Sequence, residues 1–327
     1  GDIHPGDVFV INDPYHGGMH LPDVFIFKPI FVDGERLAFG ATISHQADVG
    51  GRVPGSNASD STEIYQEGLR IPPIKLYERG QPNQTMWTMI ETNVRIPVQV
   101  TGDMRAQLSA CNIAEQQFLE LVDRFGLETT RHYMQAVIEY AERLTRAGIS
   151  GLPDGEYSFE DWIDDDGIDR ERPIRLFCTI EKHGDALKVD WDGSSAQVRG
   201  AINCTLSFTK AVSYAAVRSV LPFDIPCNEG LVRAIEVTAP SGTITNMELP
   251  AACAARGLTG FRMGDCVYGA LAKMLPDRVG AASDGGNTGV TVGGYDEQRK
   301  PFIFVDFACG SWGGRPWADG VLSLIHI

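Results

Sequence analysis

The sequence predicts an α+β fold, with small mixed sheets of short strands and a helical hairpin inserted between them. Three observations carry that reading: short apolar runs between turn residues near the start, a three-to-four-residue apolar period between residues 103 and 147, and strand-like alternation after residue 170. The composition, 43% hydrophobic and 22% charged over 327 residues, is that of an ordinary globular chain and points away from disorder or a fibrous repeat. That length accommodates one large domain or two ordinary ones.

Strands are expected at residues 7–11, 24–31 and 37–43, the last two joined by Asp33-Gly34, a pair suited to tight hairpins. Residues 49–100 are rich in Gly, Pro, Ser and Asn, punctuated by Gly50-Gly51, Pro54-Gly55 and Pro72-Pro73, and are expected to be mostly irregular. From Asp103 onward, Met104, Leu108, Cys111, Phe118, Leu121, Val122 and Phe125 define one apolar helical face, ended by Gly126. A second helix is expected over about residues 128–147, with Tyr133, Met134, Val137, Ile138 and Leu144 on it, and the two form the hairpin. A boundary near residue 150 separates the candidate-site region with its hairpin (1–150) from a mixed α/β region (151–327). Past the acidic, turn-rich residues 161–169, strands are expected at 174–180 and 187–191, a helix at 209–221, and further strands near 231–239 and 302–307. Both ends read as incomplete: the chain opens on Gly1 without a methionine, and residues 320–327 break off in an apolar run with no cap, where His326 is given no functional weight.

The formal net charge of −15 argues against nucleic-acid binding, because a polyanion is repelled unless a basic patch intervenes, and no such patch is visible. Seven cysteines, an odd number with no Cys-x-x-Cys pair, argue against a disulfide scaffold or a structural zinc site. No run of eighteen apolar residues suggests a membrane span, so a cytoplasmic location is expected by default. There is no Walker A motif, no Gly-x-Ser-x-Gly elbow and no recognisable cysteine nucleophile, which leaves covalent catalysis without support.

Four of the seven histidines, His4, His16, His20 and His45, lie within the first 45 residues. His20-Leu21-Pro22-Asp23 and His45-Gln46-Ala47-Asp48 are two His-x-x-Asp pairs at strand ends, and a short hairpin between them can bring those ends together. Imidazole and carboxylate donors without cysteine suit Zn²⁺, Mn²⁺ or Fe²⁺ in a catalytic rather than structural site. His20, Asp23 and His45 are the expected ligands, with Asp48 ahead of Asp13 as a fourth; Asp13, His16 or Asp48 are candidates for a general base. Either pair alone is common by chance in hydrogen-bonded surface loops. Glu67, Arg70, Arg256 and Arg262 are weaker candidates for substrate contacts, with ion-paired surface roles as the simpler reading. Residues 284–289, Asp-Gly-Gly-Asn-Thr-Gly, are a candidate anion cradle, although without the lysine of a P-loop.

Longer motifs carry a family resemblance. Gly6-Asp7-Val8-Phe9, Asn12-Asp13-Pro14-Tyr15, Gly17-Gly18-x-His20-Leu21-Pro22-Asp23, His45-x-x-Asp48-Val49-Gly50-Gly51, Glu67-Gly68-Leu69-x-Ile71-Pro72-Pro73 and Asp284-Gly285-Gly286-Asn287 together resemble the hydantoinase B and 5-oxoprolinase family over nearly the whole chain. The resemblance implies a B-type subunit of an ATP-dependent cyclic amide hydrolase that opens a hydantoin or 5-oxoproline ring. An A-type partner would bind ATP and phosphorylate the substrate, and the two would form a hetero-oligomer. Similar subunits occur in acetone and acetophenone carboxylases, so a carboxylase component for a small ketone is the alternative, and a noncatalytic scaffold for the A-type partner is a third reading. By the same resemblance, His20, Asp23 and His45 map onto a manganese site.

Overall fold

Asp33 and Gly34 both adopt positive φ, 50° and 83°, which is the tight turn that matches strand twist. It folds β2 (Asp23–Val32) back onto β3 (Glu35–His45). Val32 pairs with Glu35 and Phe31 with Arg36, but Ile30 then pairs with Ala38, so Leu37 is an extra residue and forms a β-bulge. From there the register runs without a break to Asp23 opposite His45. The computed structural model describes residues 2–222 and 224–321, and all their side chains except those of Asn287, Thr288 and Cys309. Residues 322–327, including His326 and most of the expected apolar end, lie outside the described residues.

The chain forms two compact units, one from the residues up to 130 with 290–306, the other from 131–289 with the chain from 307. In the first, β1 (Val8–Ile11), β4 (Ile74–Glu78) and β5 (Gln81–Pro82) join the hairpin in an antiparallel sheet of order β3-β2-β1-β4-β5. α1 (Gln84–Asn93) and α2 (Pro97–Phe125) bury Met86, Trp87, Ile90, Val100, Met104 and Cys111 in a core shared with Val8, Val10, Val24 and Ile26 of the sheet. Residues 49–100 are therefore more ordered than their composition suggests. Asn83 caps α1 by accepting from the Met86 amide at 3.1 Å, and Pro97 starts α2 six residues before the expected Asp103.

α3 (Leu127–Ser150) follows Gly126, and residue 150 is its last. In the second unit β6 (Gly155–Ile163), β7 (Ile174–His183), β8 (Ala186–Asp190) and β9 (Ile235–Thr238) form a sheet in that order, with β8 and β9 parallel. The parallel pair needs a crossover, and α4 (Leu206–Val220) lies within it. Of the expected strand near 231–239, residues 235–238 form β9, and residues 231–232 instead end α5 (Glu229–Val232), which Asn228 caps. α6 (Gly257–Met274) was not anticipated, yet it places Met263, Cys266, Val267, Ala270 and Leu271 in the core. β10 (Asn287–Tyr295) starts inside the glycine-rich stretch and pairs with β11 (Pro301–Cys309).

Cys111, Cys178, Cys204 and Cys266 are buried free thiols, and Cys227 is an exposed one. Burial pushes the Cys204 and Cys266 thiols up to about 12, so neither supplies a thiolate near neutral pH. Among the described residues, no helix is long and apolar enough to cross a membrane.

Candidate metal centre

At the open end of the β2–β3 hairpin, Asp23 and His45 are directly opposed. Directly opposed residues of an antiparallel pair put their side chains on one face, so a carboxylate meets an imidazole there. His45 Nδ1 lies 3.2 Å from Asp23 Oδ1. His20 arrives from a turn closed by the Asp23 amide, which donates to the His20 carbonyl at 3.1 Å. That turn puts the His20 ring beside the His45 ring, centroids 4.9 Å apart, with its Nδ1 2.7 Å from Asp23 Oδ2. Each oxygen of the carboxylate thus faces one imidazole. Side chains of His20 and Asp23 are 4% and 12% exposed whereas that of His45 is 44% exposed, so the cluster opens to solvent on the His45 side.

The backbone behind the cluster is held by two buried amide side chains. Asn12, at the end of β1, donates from Nδ2 to the carbonyls of Leu21 at 2.8 Å and Leu69 at 2.9 Å, and accepts from the Ile71 amide at 2.7 Å. It pins the residue next to His20. Gln107 of α2 donates to the Val24 carbonyl at 2.9 Å and accepts from Gln46 Nε2 at 3.3 Å, tying together the residues that follow Asp23 and His45. Neither side chain was anticipated as a support. Asn12 had a signal in its motif, but Gln107 is one polar residue among many on a long helix.

Asp13 and His16 form a separate pair in the segment that leads to His20. Asp13 is buried and caps the single helical turn Pro14–His16, accepting from the Tyr15 amide at 3.0 Å. Its Oδ2 faces His16 Nδ1 at 2.8 Å and the Nη2 and Nε of Arg70 at 2.8 and 3.2 Å. Burial raises the Asp13 pKa, but Arg70, the Tyr15 amide and His16 outweigh it and hold the carboxyl below the usual range. Arg70 is also flanked by Tyr15 and Tyr65, each 5.5 Å from its guanidinium. The loop then turns at Gly18, where a Cβ would lie 2.7 Å from the Asn12 carbonyl oxygen and 2.9 Å from that of Asp13, so only glycine fits.

Asp48 does not join the cluster. It is fully buried and accepts from the Gly50 and Gly55 amides at 3.3 and 3.2 Å, and from the backbone N–H and Nη1 of Arg95 at 2.7 and 2.9 Å. Its place is the organisation of the loop after His45. Asp13, the other candidate for a fourth ligand, is likewise outside the group of mutually close donor atoms. Glu67 is buried, with its backbone against Gly51. In the second unit Arg256 stacks on Phe208 and Arg262 pairs with Asp161 and Asp265, so both are engaged within the fold. The expected anion cradle is also engaged: the Gly285 amide donates to Ser283 Oγ at 3.0 Å and the Gly286 amide to Asp284 Oδ1 at 3.3 Å.

Two imidazoles and a carboxylate with donor atoms within 4.8 Å of one another fit one divalent ion. Ligand bonds of about 2.0–2.2 Å set donors roughly 3–4.4 Å apart, a change that small side-chain rotations supply.

The family model described as Hydantoinase B/oxoprolinase matches residues 1–327. The putative D-/L-hydantoinase B-type subunit of Pseudomonas sp. (strain NS671) is 35% identical over 98% of this chain and 55% of its own length. The beta subunit of the Pseudomonas jessenii caprolactamase is 33% identical over 95% of this chain and 53% of its own. The crystal structure of the ATP-dependent caprolactamase from that organism superposes with a TM-score of 0.90 at 30% identity, covering 98% of this chain and 56% of that one. An acetone carboxylase in its nucleotide-free structure shares the fold, with a TM-score of 0.87 at 19% identity over 99% of this chain and 44% of that chain. The chain spans about half the length of these relatives. A match along its entire length places this chain in the hydantoinase B/oxoprolinase family.

Proposed function

We propose that this chain belongs to the B-type subunit of an ATP-dependent cyclic amide hydrolase. It opens a hydantoin or 5-oxoproline type ring after an A-type, ATP-binding partner has phosphorylated the substrate. The carrying observation is the convergence of His20, Asp23 and His45 at a solvent-open strand end in a chain that matches the family throughout. A divalent ion held there, Mn²⁺ ahead of Zn²⁺ or Fe²⁺, would supply Lewis-acid polarisation of the activated carbonyl. The chain's own task is to hold the three donors on one face and leave the His45 side open for a ring to enter. The names of the relatives support the reaction class: a hydantoinase B-type subunit, a caprolactamase beta subunit and a 5-oxoprolinase.

The test is copurification of the full-length subunit with its partner, followed by metal analysis and ring-opening assays with ATP on hydantoins, 5-oxoproline and caprolactam. Stoichiometric metal that is lost, with turnover, in His20→Ala is the expected result. A wild-type complex without metal, or His20→Ala with unchanged metal and rate, overturns it. The acetone carboxylase fold keeps one second reading in view, a carboxylase component for a small ketone. Incorporation of labelled bicarbonate without ring opening selects that alternative.

A further inference from the structure

We infer that His16, held by Asp13, is the proton-transfer residue for ring opening, with Asp13 as its positioning residue. This rests on the hydrolase reading above. Of the three acid–base candidates in the sequence, Asp13 and Asp48 are buried, with side-chain exposures of 2% and 0%, and each is tied to an arginine, Arg70 and Arg95. His16 has the opposite situation. Its side chain is 50% exposed, and one ring nitrogen, Nδ1, faces Asp13 Oδ2 at 2.8 Å.

A buried carboxylate accepting from Nδ1–H fixes the imidazole tautomer and leaves Nε2 with its lone pair outward, the arrangement that makes a histidine a directed base. The mounting is rigid for a surface loop. Asp13 caps the turn that ends at His16, Arg70 clamps the same carboxylate oxygen, and Gly18 lies tightly against the Asn12 and Asp13 carbonyls. Three residues link His16 to His20, which keeps their Cα atoms within about 14 Å of each other and puts both histidines in one loop. The charged groups of this cluster are Asp13 and Arg70, with the phenols of Tyr15 and Tyr65 flanking the guanidinium.

In the step proposed, a water oxygen bonds to the carbon that bears the phosphorylated oxygen while one water proton passes to Nε2, and the imidazolium returns that proton to the ring nitrogen. The proton of the new hydroxyl follows by the same route as the C–N bond breaks, which leaves an amine and an acyl phosphate. A second water hydrolyses the acyl phosphate to carboxylate and inorganic phosphate, and His16 ends neutral as it began.

The experiment uses the full complex with ATP and the ring substrate it turns over. Both His16→Ala and His16→Asn are made, because the asparagine amide can still donate to Asp13 and preserve the turn without carrying a proton. The expected result is a fall in kcat of about 100-fold or more in both, with KM and metal content within twofold of wild type. The acid limb of the kcat profile set by the imidazole disappears, and added imidazole restores rate to His16→Ala. Rates within about threefold of wild type with an unchanged pH profile overturn the inference. So does a loss of rate that tracks loss of metal, or one that keeps the acid limb and resists imidazole. A wild-type complex that opens no ring removes the hydrolase reading itself, whereas an active wild type with an unaffected His16→Ala removes only the role of His16.

Discussion

Replacing Asp48 with alanine is expected to cost stability first and to lower metal occupancy as a consequence. Four donors meet this buried carboxylate, and the two from Arg95 are the short ones, at 2.7 and 2.9 Å. Hydrogen bonds to a charged group contribute about 1.5–3 kcal/mol each, so the two short ones set an upper range near 3–6 kcal/mol. The Arg95 side chain is 33% exposed and regains water when its partner goes, which brings the expectation to about 3 kcal/mol, the low end of the range for breaking a buried ion pair. Urea unfolding of metal-free wild type and Asp48→Ala at pH 7 measures it, as a shift in midpoint at unchanged slope. Metal titration of the native proteins in parallel separates the loop-organising role from direct ligation. A destabilisation under about 1 kcal/mol, with metal affinity abolished, would refute the reasoning and return Asp48 to the set of ligands.

Asn12→Ala strands the buried Leu21 carbonyl, the half-buried Leu69 carbonyl and the Ile71 amide and is expected to destabilise by about 2–4 kcal/mol, read as a lower melting temperature. Gly18→Ala forces the 13–20 loop outward and is expected to weaken metal binding by about tenfold, measured by competition with a chromogenic chelator. Asp166 is buried, which raises its pKa, but the amides of Asp169, Gly200 and Ile168 bond its carboxylate and leave the pKa below 3.8. A depressed folded pKa means stability that is full above 3.8 and lost as pH falls from there through the folded value. Asp166→Asn is therefore expected to flatten the acid arm of stability below pH 4, and an acid arm as steep as wild type would contradict that assignment.

Much of the site was legible because its chemistry is local. His20 and Asp23 lie three apart in one turn, and Asp33-Gly34 announced the hairpin that returns His45 to them. What the sequence could not supply was the use to which each acid is put. Asp13 and Asp48 look alike in a string of letters, and only burial beside Arg70 and Arg95 separates them from Asp23. The helices were legible where apolar spacing was clean, as in α2, and obscure where glycine interrupted it. α6 carries Gly257, Gly260, Gly264 and Gly269, each a cost of about 1 kcal/mol to an isolated helix, and is held by packing of Met263, Val267, Ala270 and Leu271. α1 was hidden by its neighbourhood, since the turn residues around it set the composition of the whole segment.

The extra residue at Leu37 works as a spacer for chemistry at the far end of the same hairpin. Seven residues of β2, about 23 Å, separate the bulge from Asp23, yet straightening the bulge with Leu37 kept in the ladder would pair Asp23 with Ser44 and turn His45 to the other face. Hairpin tips usually tolerate changes in length, but this one behaves as a ruler with its zero mark at the Asp23–His45 pair. A single insertion in β3 or deletion in β2 should disarm the cluster without touching a ligand, whereas deleting Leu37, or adding matched residues to both strands, should leave Asp23 opposite His45.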